Sequence, residues 1–203
     1  MEAKILRLNM AGQPIEWLTW KECVGLYARE LIVWSLGGVV RRAHGGKSRL
    51  SGLQTFVDLP AIVACDGERL APMRHDPPLN NVGLFYRDGH QCMYCGHHFL
   101  FSELSRDHVY PSSKGGEDRW ENVVAACKRC NQRKGDSLLS DINMDLLALP
   151  YRPNPYEYLA LINTDRIRGD QMEYLSPQFS RYRYESHQKK SLIDDSFHPL
   201  VTH

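Results

Sequence analysis

The sequence predicts an α+β chain organised around a small metal-stapled unit, and three observations predict it. Two Cys-x-x-Cys pairs, Cys92 with Cys95 and Cys127 with Cys130, bracket a strand-like segment and a Gly-Gly loop. The residues before them mix short β-branched runs with one stretch of helical period. The residues after them lose periodicity and are interrupted by Pro150, Pro153 and Pro155. The expected organisation is therefore a mixed α/β N-terminal region over 1–83, a chemistry-bearing module over 84–138, and an irregular C-terminal extension over 139–203.

The N-terminal elements follow in order. Residues 5–9 read as a strand and 11–14 as a turn. Thr19 suits an N-cap, and Trp20, Val24, Leu26, Tyr27 and Leu31 recur at helical spacing, which predicts a helix over about 20–30. Residues 31–34 and 61–65 are short, β-branched strand candidates. The stretch 41–49, with Arg41, Arg42, Lys47 and Arg49, reads as a basic loop, either a plain exposed one or a second clamp on a polyanion. In the extension, 156–162 predicts a short helix. From Ser176 onward the chain is polar, with basic residues among tyrosines, and reads as a flexible or partner-ordered tail.

Composition narrows the function. The chain has 203 residues, 42% hydrophobic and 24% charged, enough for a real core. Its formal net charge of +1 excludes a globally basic nucleic-acid binder, so any such binding rests on local patches. No apolar run reaches membrane-span length, and Met1-Glu2-Ala3-Lys4 lacks a signal-peptide layout; a cytoplasmic protein without membrane association is expected. In a reducing compartment the cysteines are expected as thiolate ligands rather than disulfides. Cys23 and Cys65 stand alone and read as small buried residues.

Four thiolates at two Cys-x-x-Cys spacings make a closed, tetrahedral zinc site, structural because no position remains for water. Gly96 permits the turn after the first pair. The stretch 122–131 has good helix formers, placing Cys127 and Cys130 on one helical face. The gap between the pairs exceeds that of a simple zinc ribbon, so a functional element is inserted there. Residues 104–110 read as a strand, Pro111 ends it, 112–118 form a loop around Gly115-Gly116, and Val123 and Val124 begin the return into the helix. Asp107 offers a hard oxygen for Mg²⁺ or Mn²⁺, His108 an imidazole suited to general-base work, and Asn131 an amide oxygen. Asn122 either caps the helix or pins the loop backbone. Neighbouring strand residues face opposite sides, so Asp107 and His108 serve one site only where the strand twists or ends.

The pattern Cys92-x-x-Cys95, Asp107-His108-x-x-Pro111-x-Ser113-x-Gly115-Gly116, Trp120-x-Asn122-x-Val124 and Cys127-x-x-Cys130-Asn131-x-x-Lys134-Gly135 resembles an HNH endonuclease module of the four-cysteine kind. The match spans about a quarter of the chain. A looser likeness, in Leu8-Asn9-x-Ala11-x-x-Pro14 and Asn81-Val82-x-Leu84-x-x-Arg87-Asp88, is to small bacterial and phage HNH proteins. The resemblance implies a ββα-metal finger in which His108 activates water and Asp107 and Asn131 hold one divalent ion. Asn122 then orients the loop carrying the base. Asn131 stands where the family name has its last His, a common variation. The implied activity is hydrolysis of a DNA phosphodiester, nicking or cutting a duplex and leaving 5′-phosphate and 3′-hydroxyl ends.

Phosphate contacts are expected from Arg106, Lys114, Arg119, Lys128, Arg129, Arg133 and Lys134, with Arg133 and Lys134 foremost because they lie one turn from Asn131. His90, His97 and His98 beside the first knuckle are not expected as ligands, and Trp120 is expected to pack under the loop. A single finger cuts two strands only as a homodimer or in two visits. The competing readings are a zinc-stabilised nucleic-acid-binding protein without cleavage, and a nuclease arm of a larger defence or phage-packaging assembly.

Overall fold

The computed structural model describes residues 2–66 and 76–180. β1 (Ile5–Leu8) pairs antiparallel with β2 (Pro14–Leu18) and parallel with β4 (Gln54–Cys65), and β4 pairs antiparallel with β3 (Ile32–Lys47). The resulting sheet has the order β2-β1-β4-β3. α1 (Trp20–Ala28) begins at Thr19, which closes a capping box with Glu22. Strand alternation sorts the sheet into two faces. Leu6, Leu8, Ala61, Ile62 and Ala64 pack against Leu159, Ala160, Leu175 and Phe179. Ile5, Leu59, Val63 and Cys65 pack against Cys23 and Leu26 of α1.

Two expectations change here. The stretch 41–49 is not a loop: residues through Lys47 belong to β3, with Arg42 opposite Asp58 and Lys47 opposite Gln54. The short strand expected at 31–34 is the beginning of the same long strand. Gly37, Gly38, Gly45 and Gly46 sit where the register shifts, between Leu36 and Val39 and between His44 and Lys47, so they bend the strand without ending it.

The C-terminal extension, expected as irregular, carries α4 (Leu139–Ile142), α5 (Pro155–Leu161) and α6 (Gly169–Leu175). Pro155 occupies the first turn of α5, where its missing N–H costs nothing, and Asn154 caps that helix in a capping box with Glu157. α5 and α6 form one covering layer of the N-terminal sheet, so the extension completes the core begun by residues 5–65. Gln171, fully buried on α6, donates to the carbonyls of Lys4 and Ala61 at 2.8 Å each. The tail expected after Ser176 lies, beyond Ser180, outside the described residues.

The middle of the chain forms α2 (Asn81–Arg87), an antiparallel pair β5 (Leu104–His108) and β6 (Val123–Cys127), and α3 (Lys128–Lys134). The 83/84 boundary expected from composition falls inside α2. The helix expected over 122–131 begins only at Lys128, because Val123–Cys127 pairs residue for residue with Leu104–His108. Arg87 ties this unit together. Its buried guanidinium donates to the carbonyls of Trp120, Val123 and Tyr151 at 2.7–2.9 Å and pairs with Asp88 at 2.7 Å. Asp88 in turn accepts from the Ala125 N–H at 2.7 Å, outside the β5–β6 ladder.

Candidate metal centre and catalytic cleft

The four cysteine sulfurs lie within 4.8 Å of one another. Cys92 and Cys95 leave the knuckle after α2, where the Cys92 N–H bonds to the His97 carbonyl and the Gly96 N–H to the Cys92 carbonyl, at 2.9 Å each. Cys127 ends β6 and caps α3, its sulfur accepting from the Cys130 N–H at 3.4 Å. So the second pair straddles a strand end and a helix start, and does not share one helical face. Burial and the neighbouring sulfurs push the Cys130 thiol up. A soft divalent cation relieves that crowding, and four thiolates closing to zinc–sulfur distances of about 2.3 Å need only a small contraction of this cluster. The donor set fits zinc.

β5 ends at His108, immediately before the loop. Asn122 holds that loop from below. Its Oδ1 accepts from the Tyr110 N–H at 2.9 Å, and its Nδ2 donates to the carbonyls of Tyr110 and Glu117 at 3.1 and 2.8 Å. The Val109 N–H bonds to the Asn122 carbonyl at 2.8 Å. Asn122 therefore pins the loop, and the other role open to it, capping the helix, is unused because β6 intervenes. The loop turns at Gly115, whose φ of 95° is left-handed. At Gly116 the backbone passes so close that a Cβ would lie 1.9 Å from the Tyr110 oxygen. Trp120 is buried, donates to the Pro77 carbonyl at 2.9 Å and packs edge-on to Tyr158.

A cleft of about 240 Å³ opens between the end of β5, the loop and α3. Arg106, Asp107, His108, Ser112, Asn131 and Lys134 are among its lining residues. The two neighbours on the strand thus reach one cleft, Asp107 from the buried side and His108 from the rim. The Asp107 carboxylate is 5% exposed; it accepts from the Tyr94 hydroxyl and from the Lys134 ammonium at 3.2 Å. Burial, then the bond to Asp107, push the Tyr94 phenol up, so it stays a donor. Asn131 spends its Nδ2 on Ser105 Oγ at 2.8 Å and the Arg106 carbonyl at 3.4 Å, which leaves Oδ1 as its open end.

His108 Nε2 lies 3.0 Å from Asp118 Oδ1. Arg106 donates to the same carboxylate at 2.6 and 2.9 Å. Burial opposes ionisation of Asp118, but Arg106 and His108 outweigh it and hold the carboxyl below its ordinary value. A carboxylate only accepts, so the proton of a neutral His108 sits on Nε2 and Nδ1 is the free acceptor.

The basic residues divide. Lys134 is 1% exposed and turned inward, bonding the His108 carbonyl at 2.7 Å as well as Asp107. Arg106 is engaged with Asp118 and Asn81. Lys114 is exposed on the loop. Lys128, Arg129 and Arg133 line a separate cavity of about 570 Å³ against the sulfur cluster, with Cys95, His97 and Phe99. Arg119 faces Glu117 at 3.4 Å. Tyr94, Asp118 and the inward role of Lys134 were not read from the sequence. Each depends on a contact across 10 to 27 residues that no local pattern encodes.

Residues 92–147 match the family model described as HNH endonuclease. A CRISPR-associated endonuclease Cas9 from Corynebacterium diphtheriae is 44% identical over 52 residues, 25% of this chain and 5% of that relative's length. No solved structure matches the chain. Among the described residues no helix is long and apolar enough to cross a membrane. The cysteine cluster, the β5–β6–α3 unit and the family match coincide: within an α+β fold, residues 92–147 are similar to an HNH endonuclease module and carry a four-cysteine cluster that fits zinc.

Proposed function

We propose that this protein is a metal-dependent DNA endonuclease that hydrolyses phosphodiester bonds of duplex DNA. The observation that carries the reading is the gathering of Asp107, His108 and Asn131 around one cleft, with the His108 Nδ1 unpartnered among the described residues. His108 takes the proton of the attacking water at Nδ1 while Asp118, held by Arg106, keeps Nε2 protonated and the ring oriented. Asp107 and the open Oδ1 of Asn131 supply two hard oxygens to one cleft, a set that fits Mg²⁺ or Mn²⁺. Such an ion, when bound, neutralises charge on the phosphate and on the departing oxygen. Asn122 acts by positioning, since every polar atom of its side chain is spent on the loop backbone. Lys114 contacts phosphate from the loop, Arg133 from the far end of α3, and Arg106 where it leaves Asp118. Lys134 holds Asp107 and the end of β5 in place. Zinc on the four cysteines fixes the knuckle to α3. One cleft cuts one strand, so a double-strand break requires two visits or a second copy.

A second reading, binding without cleavage, is favoured by the Asp107–Lys134 pair, which leaves the carboxylate already neutralised. Supercoiled plasmid incubated with Mg²⁺ or Mn²⁺ separates the two. The nuclease reading expects nicked or linear product that disappears with a chelator selective for hard cations. A persistent gel shift with intact plasmid in both metals establishes the second.

A further inference from the structure

The hairpin of β3 and β4 outgrows the sheet. β1 reaches β4 only at Ile62, Val63 and Ala64, whereas β3 and β4 stay paired out to Lys47 and Gln54. The free ribbon, residues 54–59 against 41–47, is about 20 Å long at strand rise. α1 covers one of its faces as far as Ala43 and Val57. The other face presents Arg42, with its guanidinium over the Phe56 ring at 4.5 Å and paired with Asp58 at 2.6 Å. His44 stands opposite Phe56 on the neighbouring strand. At the tip Leu50 is fully exposed and Leu53 is 71% exposed.

Charge chooses among the partners this ribbon fits. Between residues 41 and 58 lie four cations, Arg41, Arg42, Lys47 and Arg49, and one acid, Asp58. Arg41 is further offset by Glu2, at 2.7 Å. Four cations less two acids leave +2 on this one projection, against +1 for the whole chain. Lys47 and Arg49 are exposed and have no ion pair among the described residues. A two-stranded β-ribbon fits the DNA major groove, where apolar side chains contact thymine methyl groups.

We propose that the β3–β4 ribbon is a DNA-binding arm: Lys47 and Arg49 contact phosphates, and Leu50 and Leu53 enter the groove. The proposal rests on the reading of DNA as substrate, but concerns a surface remote in sequence from the cleft. The full chain carrying His108→Ala serves as the binding background, titrated by fluorescence anisotropy against a labelled 30-base-pair duplex over a range of salt. Adding Lys47→Ala with Arg49→Ala should lower the slope of log affinity on log salt by about 2, and weaken binding on the order of tenfold near 0.1 M salt. Adding Leu50→Ser with Leu53→Ser should weaken binding and leave the slope unchanged.

Unaltered affinity and slope in both double variants overturn the arm, even where the intact protein cleaves plasmid. Light scattering on the same samples covers a second copy of the chain as the occupant. A dimer that becomes monomeric on Leu50→Ser with Leu53→Ser, at unchanged DNA affinity, also overturns it. Absence of plasmid cleavage by the intact protein, with the arm variants still weakening binding, overturns the nuclease reading and leaves the arm standing.

Discussion

The sheet and its two helical layers bury Leu6, Leu8, Leu59, Ile62, Val63, Leu159 and Leu175, whereas the β5–β6–α3 unit buries mostly small or polar groups where it meets the cleft and the sulfurs: Ala126, Cys92, Cys127, Asp107 and Lys134. The first region is held by apolar area taken from water, which needs no particular partner geometry. The second has an apolar cluster of its own, in Leu84, Phe85, Leu104, Trp120 and Val123, but at the cleft and the sulfurs it is fixed by directed contacts: thiolates at four corners, Asn122 spread over three backbone groups, and Arg87 donating to three carbonyls. Directed contacts place the cleft groups to within a hydrogen bond, which acid–base chemistry at a phosphate demands. They also fail abruptly when one partner goes, and the two regions can be told apart by that failure.

The largest expected effect is loss of the sulfur cluster. Structural zinc sites contribute about 10–16 kcal/mol of apparent binding energy in small domains, which becomes folding energy. Cys127→Ser removes a ligand while leaving a hydroxyl that can still cap α3, so its effect reports the sulfur cluster. It should abolish bound zinc, measured by atomic absorption, and make amide exchange fast through β5, β6 and α3 while the four-stranded sheet keeps its protection. Uniform loss of protection across both regions contradicts the division drawn here.

His108→Ala comes next and touches only chemistry. Removing a positioned general base costs about 10²–10⁴-fold, read as the rate of plasmid nicking with Mg²⁺. Zinc content and melting temperature should stay near wild-type values, because among the described residues the side chain's polar partner is the exposed Asp118. An active variant refutes the role assigned to the imidazole.

Arg87→Ala probes the seam between the regions. It leaves Asp88 buried without its cation and frees three carbonyls, a change that costs about 3–5 kcal/mol for a buried pair. Denaturant unfolding should report that loss, with cleavage retained at low temperature. By comparison, Leu175→Ala, in the fully buried layer over Ala61 and Ile62, should cost about 2–5 kcal/mol and depend on how far α6 settles into the gap. A larger penalty for Leu175 than for Arg87 would mean that the seam is less demanding than the core.

The same contrast explains what could be read in advance. The cysteines, Asp107, His108, Asn122 and Asn131 stand at short, chemically meaningful spacings, so the residues that the structure gathers at the sulfur cluster, the loop and the cleft are legible one by one. The helix start was misplaced because alanine and valine in 123–126 serve a strand as well as a helix, and only the ladder with β5 decides. The basic stretch 41–49 reads as a loop because the strand partner of its first seven residues lies a hairpin away and its glycines mark bulges. Nothing local shows that α5 and α6 cover a sheet begun at residue 5. That pairing spans more than 150 residues, as in Gln171 bonding Lys4. Tyr94, Asp118 and the inward Lys134 were invisible for the same reason.

Asp118 gives the smallest and most specific test. Its side chain is 54% exposed, so solvent screens its pairs with Arg106 and His108, and such pairs contribute about 1 kcal/mol or less. Its folded-state pKa is depressed. The contribution is therefore fully present above the usual carboxylate range, about 4, and is lost as pH falls through the lower folded value. The stability gap between wild type and Asp118→Asn, from denaturant unfolding, should be constant from pH 7 to pH 5 and close toward pH 2. Nicking at pH 7 should fall on the order of tenfold in the same variant, since the imidazole loses the partner that sets its tautomer. A gap that widens in acid, or nicking at the wild-type rate, would remove Asp118 from the directed contacts and return it to the surface.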